Sequence, residues 1–134
     1  MSNMNIANIS LWIVRITLGI SFFLHGFGKL PYPPEGFASW LESIDIIAPM
    51  YVATAVAVGE MAAGVGIIIG GFFKGTIGNF ITRLSALGIF IIMVGAFYLA
   101  HPDWFINEKL FKSEQIYIFV LSIFFLINGN KNFK

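Results

Sequence analysis

An apolar run from Leu11 to Leu30, LWIVRITLGISFFLHGFGKL, constrains the fold of this chain more than any other stretch. It is long enough to cross a bilayer, since a spanning helix needs roughly 20 mostly apolar residues. Yet it contains Arg15, His25 and Lys29, and an ionisable side chain inside a membrane is costly unless it turns away from lipid. At the helical period of 100° per residue these three share one stripe with Gly19, Phe22 and Gly26.

This stripe predicts a helix with two unlike faces. The polar face is expected to point inward, where each charged group finds a partner on a neighbouring helix. The opposite face is expected to contact lipid, and it consists of Ile13, Ile16, Ile20, Leu24 and Phe27.

The composition places the whole chain in a membrane. Its 134 residues are 57% hydrophobic and only 11% charged, whereas a soluble domain is about 25% charged. The net charge of +1 gives no reason to expect a nucleic-acid partner. The sequence contains no cysteine, which excludes disulfides, thiolate metal sites and a thiol relay within this chain. The first ten residues lack the basic region of a cleavable signal, so the first apolar run is interpreted as a span.

The hydrophobic pattern predicts one all-α domain over residues 1–134, a four-transmembrane-helix bundle with spans at about 9–30, 50–73, 81–100 and 114–128. Prolines 31, 33 and 34 end the first span. A short interfacial helix is expected after it, because Phe37, Trp40, Leu41 and Ile44 recur at helical spacing. Residues 74–80, which include two glycines, are expected to form a loop.

Four spans would place both termini on the same side of the membrane. That side would carry Lys74, Arg83, Lys131 and Lys134, against Lys29, Lys109 and Lys112 on the other side. The positive-inside rule counts basic residues only, so we expect both termini to be cytoplasmic. Lys131 and Lys134 are expected to contact anionic membrane lipid.

Arg15 and Glu60 are expected to form a buried ion pair. With a rise of about 1.5 Å per residue, Arg15 lies roughly 10 Å inside the first span and Glu60 roughly 15 Å inside the second, from the opposite side. In a core about 30 Å thick these depths differ by about 5 Å, which an arginine side chain can bridge. Either charge alone would be costly in lipid. The alternative is that such a pair only fixes helix register.

The residues near the other end of the first span suggest a quinone site. His25 and Lys29 lie one turn apart, and His101 ends the third span on the same side, with Phe22 and Trp104 as aromatic neighbours. Histidine titrates near neutral pH, which suits proton-coupled electron transfer. Alternatively, His25 bonds a carbonyl and His101 caps its span. A bis-histidine haem is disfavoured because the two heights differ, and no ligand-spaced cluster predicts a metal.

At these residues the chain resembles the DoxX family. The pattern R-x3-G-x5-H-G-x2-K over residues 15–29 is similar to that family's first span, and GEMAAGVGIIIGG is similar to its second. TRLSALGIFIIMVGAFYLAH is similar to the third. Residues 72–80 depart from the family as an apparent insertion, and the ending INGNKNFK lacks its fuller glycine-rich tail. The resemblance implies a small four-helix protein of a bacterial-type inner membrane, with some relatives being subunits of a thiosulfate:quinone oxidoreductase.

The leading hypothesis is therefore a membrane subunit of a quinone-linked oxidoreductase, with an inward polar pocket between the first two spans. His25, Glu60 and Arg15 are the candidate catalytic residues. Quinone or an anionic substrate would be held by Lys29, Arg83, His101, Phe22 and Trp104. Such a pocket needs a redox partner or a second copy of the chain. The alternatives are a non-enzymatic scaffold or assembly protein of a membrane complex and, with less support because no inverted repeat is visible, a small-solute carrier.

Overall fold

The computed structural model describes residues 6–29, 34–104 and 106–131, and the regular structure within these ranges is helical. The predicted all-α class is confirmed. The helices are α1 (Ile6–Phe27), α2 (Glu35–Ser43), α3 (Pro49–Gly70), α4 (Gly75–Ala100), a 3-10 turn (Pro102–Trp104), α5 (Glu108–Lys112) and α6 (Gln115–Asn128).

Three of these helices, α1, α3 and α4, are long and apolar enough to cross a membrane. Helix α6 is also apolar but has 14 residues, so it spans only about 21 Å of a hydrocarbon core about 30 Å thick. The described part of the chain therefore contains three candidate membrane spans and one shorter apolar helix, whereas the sequence predicted four spans.

Helices α1, α3, α4 and α6 run alternately up and down and pack in that order, with α6 returning to contact α1. One end of the bundle gathers the start of α1, the end of α3, the start of α4 and the end of α6, and we call it the Arg15 end. The other carries α2, which packs on α3, together with α5, and we call it the Lys29 end. The two ends hold separate groups of polar side chains.

The predicted division of α1 into two faces is confirmed. Arg15, Gly19, Phe22 and Gly26 are buried, whereas the predicted lipid face is exposed along its whole length. Its members are Ile13, Ile16, Ile20, Leu24 and Phe27. The buried stripe therefore meets α3, and the exposed face is free to contact lipid.

Glycines allow α1 and α3 to approach closely. A Cβ on Gly64 would lie 2.5 Å from the carbonyl oxygen of Gly19 and 2.7 Å from the backbone nitrogen of Phe23. A Cβ on Gly26 would lie 2.5 Å from the carbonyl oxygen of Ala57. Small residues at helix contacts are the usual basis of packing in lipid. These contacts fix which residues of α1 and α3 lie at the same level.

Replacing Gly64 with alanine is expected to destabilise the bundle by about 1–3 kcal/mol, because the added methyl group meets backbone that cannot turn aside. Gly88→Ala is the matched control: its Cβ would make an ordinary contact, 3.7 Å from Cβ of Ala63. Alanine favours helices over glycine by about 1 kcal/mol, so the control is expected to be neutral or slightly stabilising. Thermal unfolding of both variants in detergent checks this. Equal shifts in Tm would contradict the close-contact explanation.

The loop expected at residues 74–80 is wrong, because α4 begins at Gly75 and is helical through this stretch. Glycine usually disfavours a helix interior. Here Gly78 is buried, and a Cβ on it would overlap the carbonyl group of Phe73. Gly78 therefore allows the chain at Phe73 to pack closely against α4, and it does not interrupt the helix.

Candidate functional site

Lys29 and Glu60 form an ion pair between the end of α1 and the middle of α3. The Lys29 ammonium donates hydrogen bonds to both carboxylate oxygens, with Nζ 3.1 Å from Oε1 and 2.9 Å from Oε2. The side chain of Glu60 is 7% exposed, and that of Lys29 is 22% exposed. The same ammonium donates to the carbonyl oxygen of His25 at 3.2 Å and lies 5.1 Å from the ring centroid of Phe37. A carboxylate this deeply buried needs such a partner.

This pair borders a cleft of about 290 Å³ between α2, α3 and α4, which we call the Lys29–Glu60 cleft. Apart from the ion pair its lining is apolar, and it includes Phe37, Trp40, Val52, Val56, Ile92 and Leu99. The rings of Phe37 and Trp40 stack with centroids 5.8 Å apart and planes 12° from parallel. Apolar walls with a few placed polar groups are typical of small-molecule sites. The cleft offers an ammonium donor, a carboxylate acceptor and an aromatic wall.

Arg15 forms a second polar cluster at the opposite end of the bundle, where its side chain is fully buried. One terminal nitrogen donates to the carbonyl oxygen of Ile67 at 2.5 Å and to Oγ1 of Thr82 at 2.9 Å. The other donates to Oδ1 of Asn130 at 2.7 Å. The guanidinium carbon also lies 4.8 Å from the ring centroid of Phe125. Arg15 therefore ties α1 to α3, to α4 and to the turn after α6.

The expected ion pair between Arg15 and Glu60 is wrong, because the two residues belong to different clusters. A Cβ on Gly71 would lie 2.8 Å from Cδ of Arg15, whereas one on Gly26 would lie 2.9 Å from Cβ of Glu60. Eleven residues of helix, about 16 Å, separate these levels. The sequence-based estimate placed Arg15 and Glu60 by their distance from the ends of their spans. It did not include the shift of α1 along α3, which is set by the glycine contacts between the two helices.

His25 lies one turn from Lys29 but faces α6 rather than the Lys29–Glu60 cleft. Its Nε2 is 3.7 Å from Oε1 of Glu114, which is exposed at the start of α6. These two residues line a separate cleft of about 360 Å³ that also includes Thr17, Ser21 and Tyr117. The structure therefore does not bring His25 together with Glu60 and Arg15, the other two candidate catalytic residues.

His101 and Trp104 are brought together, as the sequence predicts for two members of one site. Their rings stack with centroids 3.6 Å apart and planes 9° from parallel. They line a cleft of about 490 Å³ with Tyr98 and Phe119, on the side of α4 that faces α6. The Lys29–Glu60 cleft lies against other residues of α4, so His101 and Trp104 contribute to a different cavity.

Phe22 and Arg83 also lie outside the Lys29–Glu60 cleft. Phe22 is 1% exposed and packs in the core among Leu18 and Ile67, so its ring presents no face to a ligand. Arg83 is at the Arg15 end, where it donates to the carbonyl oxygen of Ile127 at 3.0 Å. The single polar pocket expected between the first two spans is therefore divided into several sites around the bundle.

The family comparison matches the DoxX model to residues 10–102, which is more than half of the chain. The chain belongs to the DoxX family. The matched range contains Arg15, Lys29 and Glu60 and ends before α6. Together with its three long apolar helices, this membership identifies an integral membrane protein. The searches of curated proteins and of solved structures gave no match.

In this DoxX protein the sequence pattern missed two contributors to the polar clusters. Asn130 lies in a tail too short to show helical periodicity, yet its amide accepts from Arg15 and from Thr82 at 2.6 Å. The same amide donates to the carbonyl oxygen of Gly70 at 2.7 Å. Phe37 was expected only as part of an interfacial helix, and it lines the cleft beside Lys29. The sequence N-G-N, a glycine flanked by two asparagines, is a turn signal. It could have indicated the turn that contains Asn130.

Proposed function

We propose that this DoxX protein is the membrane subunit of a quinone-linked oxidoreductase system and that the Lys29–Glu60 cleft receives the quinone headgroup. The observation that carries the proposal is a buried ammonium–carboxylate pair at the border of an otherwise apolar cleft. Family membership supports a membrane protein of this kind. The resemblance to subunits of a thiosulfate:quinone oxidoreductase suggests the class of reaction.

The dimensions and lining of the cleft suit a single six-membered ring. Its volume of about 290 Å³ is near the lower end of the roughly 300–1,000 Å³ typical of small-molecule sites. That is room for a headgroup and not for a long isoprenoid tail, which would extend into the bilayer. The stacked rings of Phe37 and Trp40 supply a flat wall against which a quinone ring can lie.

Lys29 and Glu60 can bind the headgroup and handle a proton. The ammonium of Lys29 has three N–H donors, two of which bond Glu60, so it can release one of these bonds to donate to a quinone carbonyl while keeping the other. The carboxylate of Glu60 orients that ammonium and can accept or return a proton at Oε1 or Oε2. A bound quinone supplies a two-electron, two-proton couple. Electrons would come from a redox partner, and the chain has no thiol that could relay them.

A scaffold or assembly role is the second candidate. It is favoured because Lys29 and Glu60 satisfy one another's charge and hydrogen-bonding groups, as a purely structural ion pair would. The two functions differ in one measurable property, which is saturable binding of quinone at this cleft. A scaffold gives no reason to expect such binding.

Quinone binding can be followed through Trp40, because a bound quinone quenches a neighbouring indole. The chain has three tryptophans, so Trp12→Phe/Trp104→Phe leaves Trp40 as the single emitter. Titration with a short-chain ubiquinone analogue in detergent is expected to quench this emission saturably. Glu60→Gln on the same background is expected to weaken binding about tenfold, or about 1.4 kcal/mol, because Lys29 loses the carboxylate that orients its ammonium toward the quinone.

Two controls make the assignment specific. Glu42→Gln removes an exposed carboxylate of α2 and is expected to leave the binding curve unchanged. Trp12→Phe/Trp40→Phe reports on Trp104 in the other cleft and is expected to show only the linear quenching caused by partition into micelles. Saturable quenching of Trp104 instead of Trp40 would move the quinone site, and its absence from both would favour the scaffold.

A further inference from the structure

A polar groove at the Arg15 end has no part in the function proposed above. Its volume is about 740 Å³, and we call it the Lys74 groove. Three cationic side chains line it, those of Lys74, Arg83 and Lys131, and no carboxylate is among its described lining residues. Three amide side chains also line it, those of Asn79, Asn128 and Asn130.

The distribution of acidic residues leaves the Lys74 groove without a nearby countercharge from Asp or Glu. All seven acidic residues lie within residues 35–60 and 103–114, which belong to the Lys29 end and the middle of α3. Asn130, which lines the groove, is hydrogen-bonded to the buried guanidinium of Arg15. A cleft lined by charges of one sign concentrates ions of the opposite sign. The groove is therefore suited to an anion.

Hydrogen bonds hold the wall of this groove in one arrangement. The amide of Asn128 donates to the carbonyl oxygen of Lys131 at 2.9 Å, and Arg83 is held on the carbonyl oxygen of Ile127. Gly129 turns the chain between them with φ of +58°, and a Cβ there would lie 2.6 Å from Nε of Arg83. Glycine adopts this conformation without strain. Arg83 on α4 and the backbone of Lys131 are therefore both held at this folded turn.

We propose that the Lys74 groove binds the phosphate headgroup of an anionic phospholipid. The groove lies at one end of three helices that are long enough to cross a membrane, which is the level of lipid headgroups. Trp12 lines it beside the exposed rings of Phe72 and Phe73, and tryptophan is enriched at this depth. The N-terminus of α4, where Lys74 is the N-cap residue, has no side-chain cap and adds partial positive charge.

The same arrangement discriminates between lipid headgroups. Phosphatidylglycerol presents a phosphate with net negative charge, whereas phosphatidylcholine carries a quaternary ammonium beside its phosphate. Three cations without a carboxylate attract the first and repel the choline of the second. Each Lys or Arg near a membrane surface contributes about 1 kcal/mol toward anionic lipid.

Native mass spectrometry of the full chain in a nonionic detergent tests this proposal, with phosphatidylglycerol and phosphatidylcholine of equal chain length as probes. We expect the native chain to hold phosphatidylglycerol at least about tenfold more tightly. Lys74→Gln/Lys131→Gln removes two exposed cations with little effect on folding and is expected to abolish most of this preference. Lys109→Gln/Lys112→Gln removes two cations at the Lys29 end and is expected to preserve it.

Three results would overturn the lipid assignment. The first is an equal loss in both double variants, since that indicates a non-local charge effect. The second is equal retention of both lipids by the native chain. The third is displacement of phosphatidylglycerol by inorganic phosphate under conditions where sodium chloride of the same ionic strength leaves it bound, which would assign the groove to free phosphate.

Discussion

Replacing Arg15 with methionine is expected to lower the free energy of unfolding by about 3–5 kcal/mol. The side chain is fully buried and donates to Ile67, Thr82 and Asn130, which belong to three different parts of the fold. Methionine is shorter and apolar, and it has no hydrogen-bond donor. The carbonyl of Ile67 and the amide oxygen of Asn130 would each lose a charged hydrogen bond in a buried setting.

Arg83→Met is the matched control for Arg15, because it removes an arginine at the same end of the bundle that is exposed and has one hydrogen bond. We expect it to cost less than about 1 kcal/mol. Unfolding by SDS titration from mild detergent, followed by far-UV circular dichroism, gives both values. Arg15→Lys is expected to recover only part of the loss, since an ammonium cannot reproduce the planar fork of donors. Similar costs for Arg15→Met and Arg83→Met would contradict the proposed network.

The faces of the helices could be predicted from the sequence, because they depend only on the period of 3.6 residues per turn. Arg15, Gly19 and Gly26 were placed on the buried stripe of α1, and they are buried. The same period puts Ala57 and Gly64 on the side of α3 that carries Glu60, and all three residues are buried. Each of these predictions concerns one helix by itself, and local periodicity is sufficient for it.

Register between helices could not be predicted in the same way. The partner of Glu60 depends on which turn of α1 lies beside it, and Arg15 and Lys29 are about four turns apart. Both cations lie on the same stripe of α1, so the helical period cannot distinguish them. The deciding contacts are those of Gly64 with Gly19 and of Gly26 with Ala57, which depend on backbone approach between two helices.

The grouping of the polar residues into separate clefts could not be predicted from the sequence for a related reason. Residues on one helix that are one turn apart can face different neighbours, as His25 and Lys29 do. Which neighbour each residue faces depends on how α3 and α6 pack around α1, and a pattern on α1 carries no information about that packing. The turn at Gly129 and Asn130 was missed because tertiary hydrogen bonds, not local periodicity, define it.

The second large effect is expected at Lys29 and Glu60, where the two single substitutions should differ. Lys29→Met leaves the carboxylate of Glu60 buried without its partner, and breaking a buried pair in this way costs about 3–5 kcal/mol. Glu60→Gln leaves Lys29 charged, but this side chain is partly exposed and can reach water, so we expect about 1–2 kcal/mol. The same SDS titration measures both.

Glu60→Leu alone and the double variant Lys29→Met/Glu60→Leu complete a cycle with Lys29→Met and separate folding from ligand binding. Replacing a buried ion pair by apolar side chains is often neutral or stabilising, so the double variant is expected to be more stable than Lys29→Met alone. The coupling energy between the two positions should then exceed about 1 kcal/mol. A folded double variant that no longer shows saturable quenching of Trp40 would tie quinone binding to the ion pair itself. Additive costs in the cycle would mean that the two charges do not depend on each other, and the site proposed at this cleft would lose its basis.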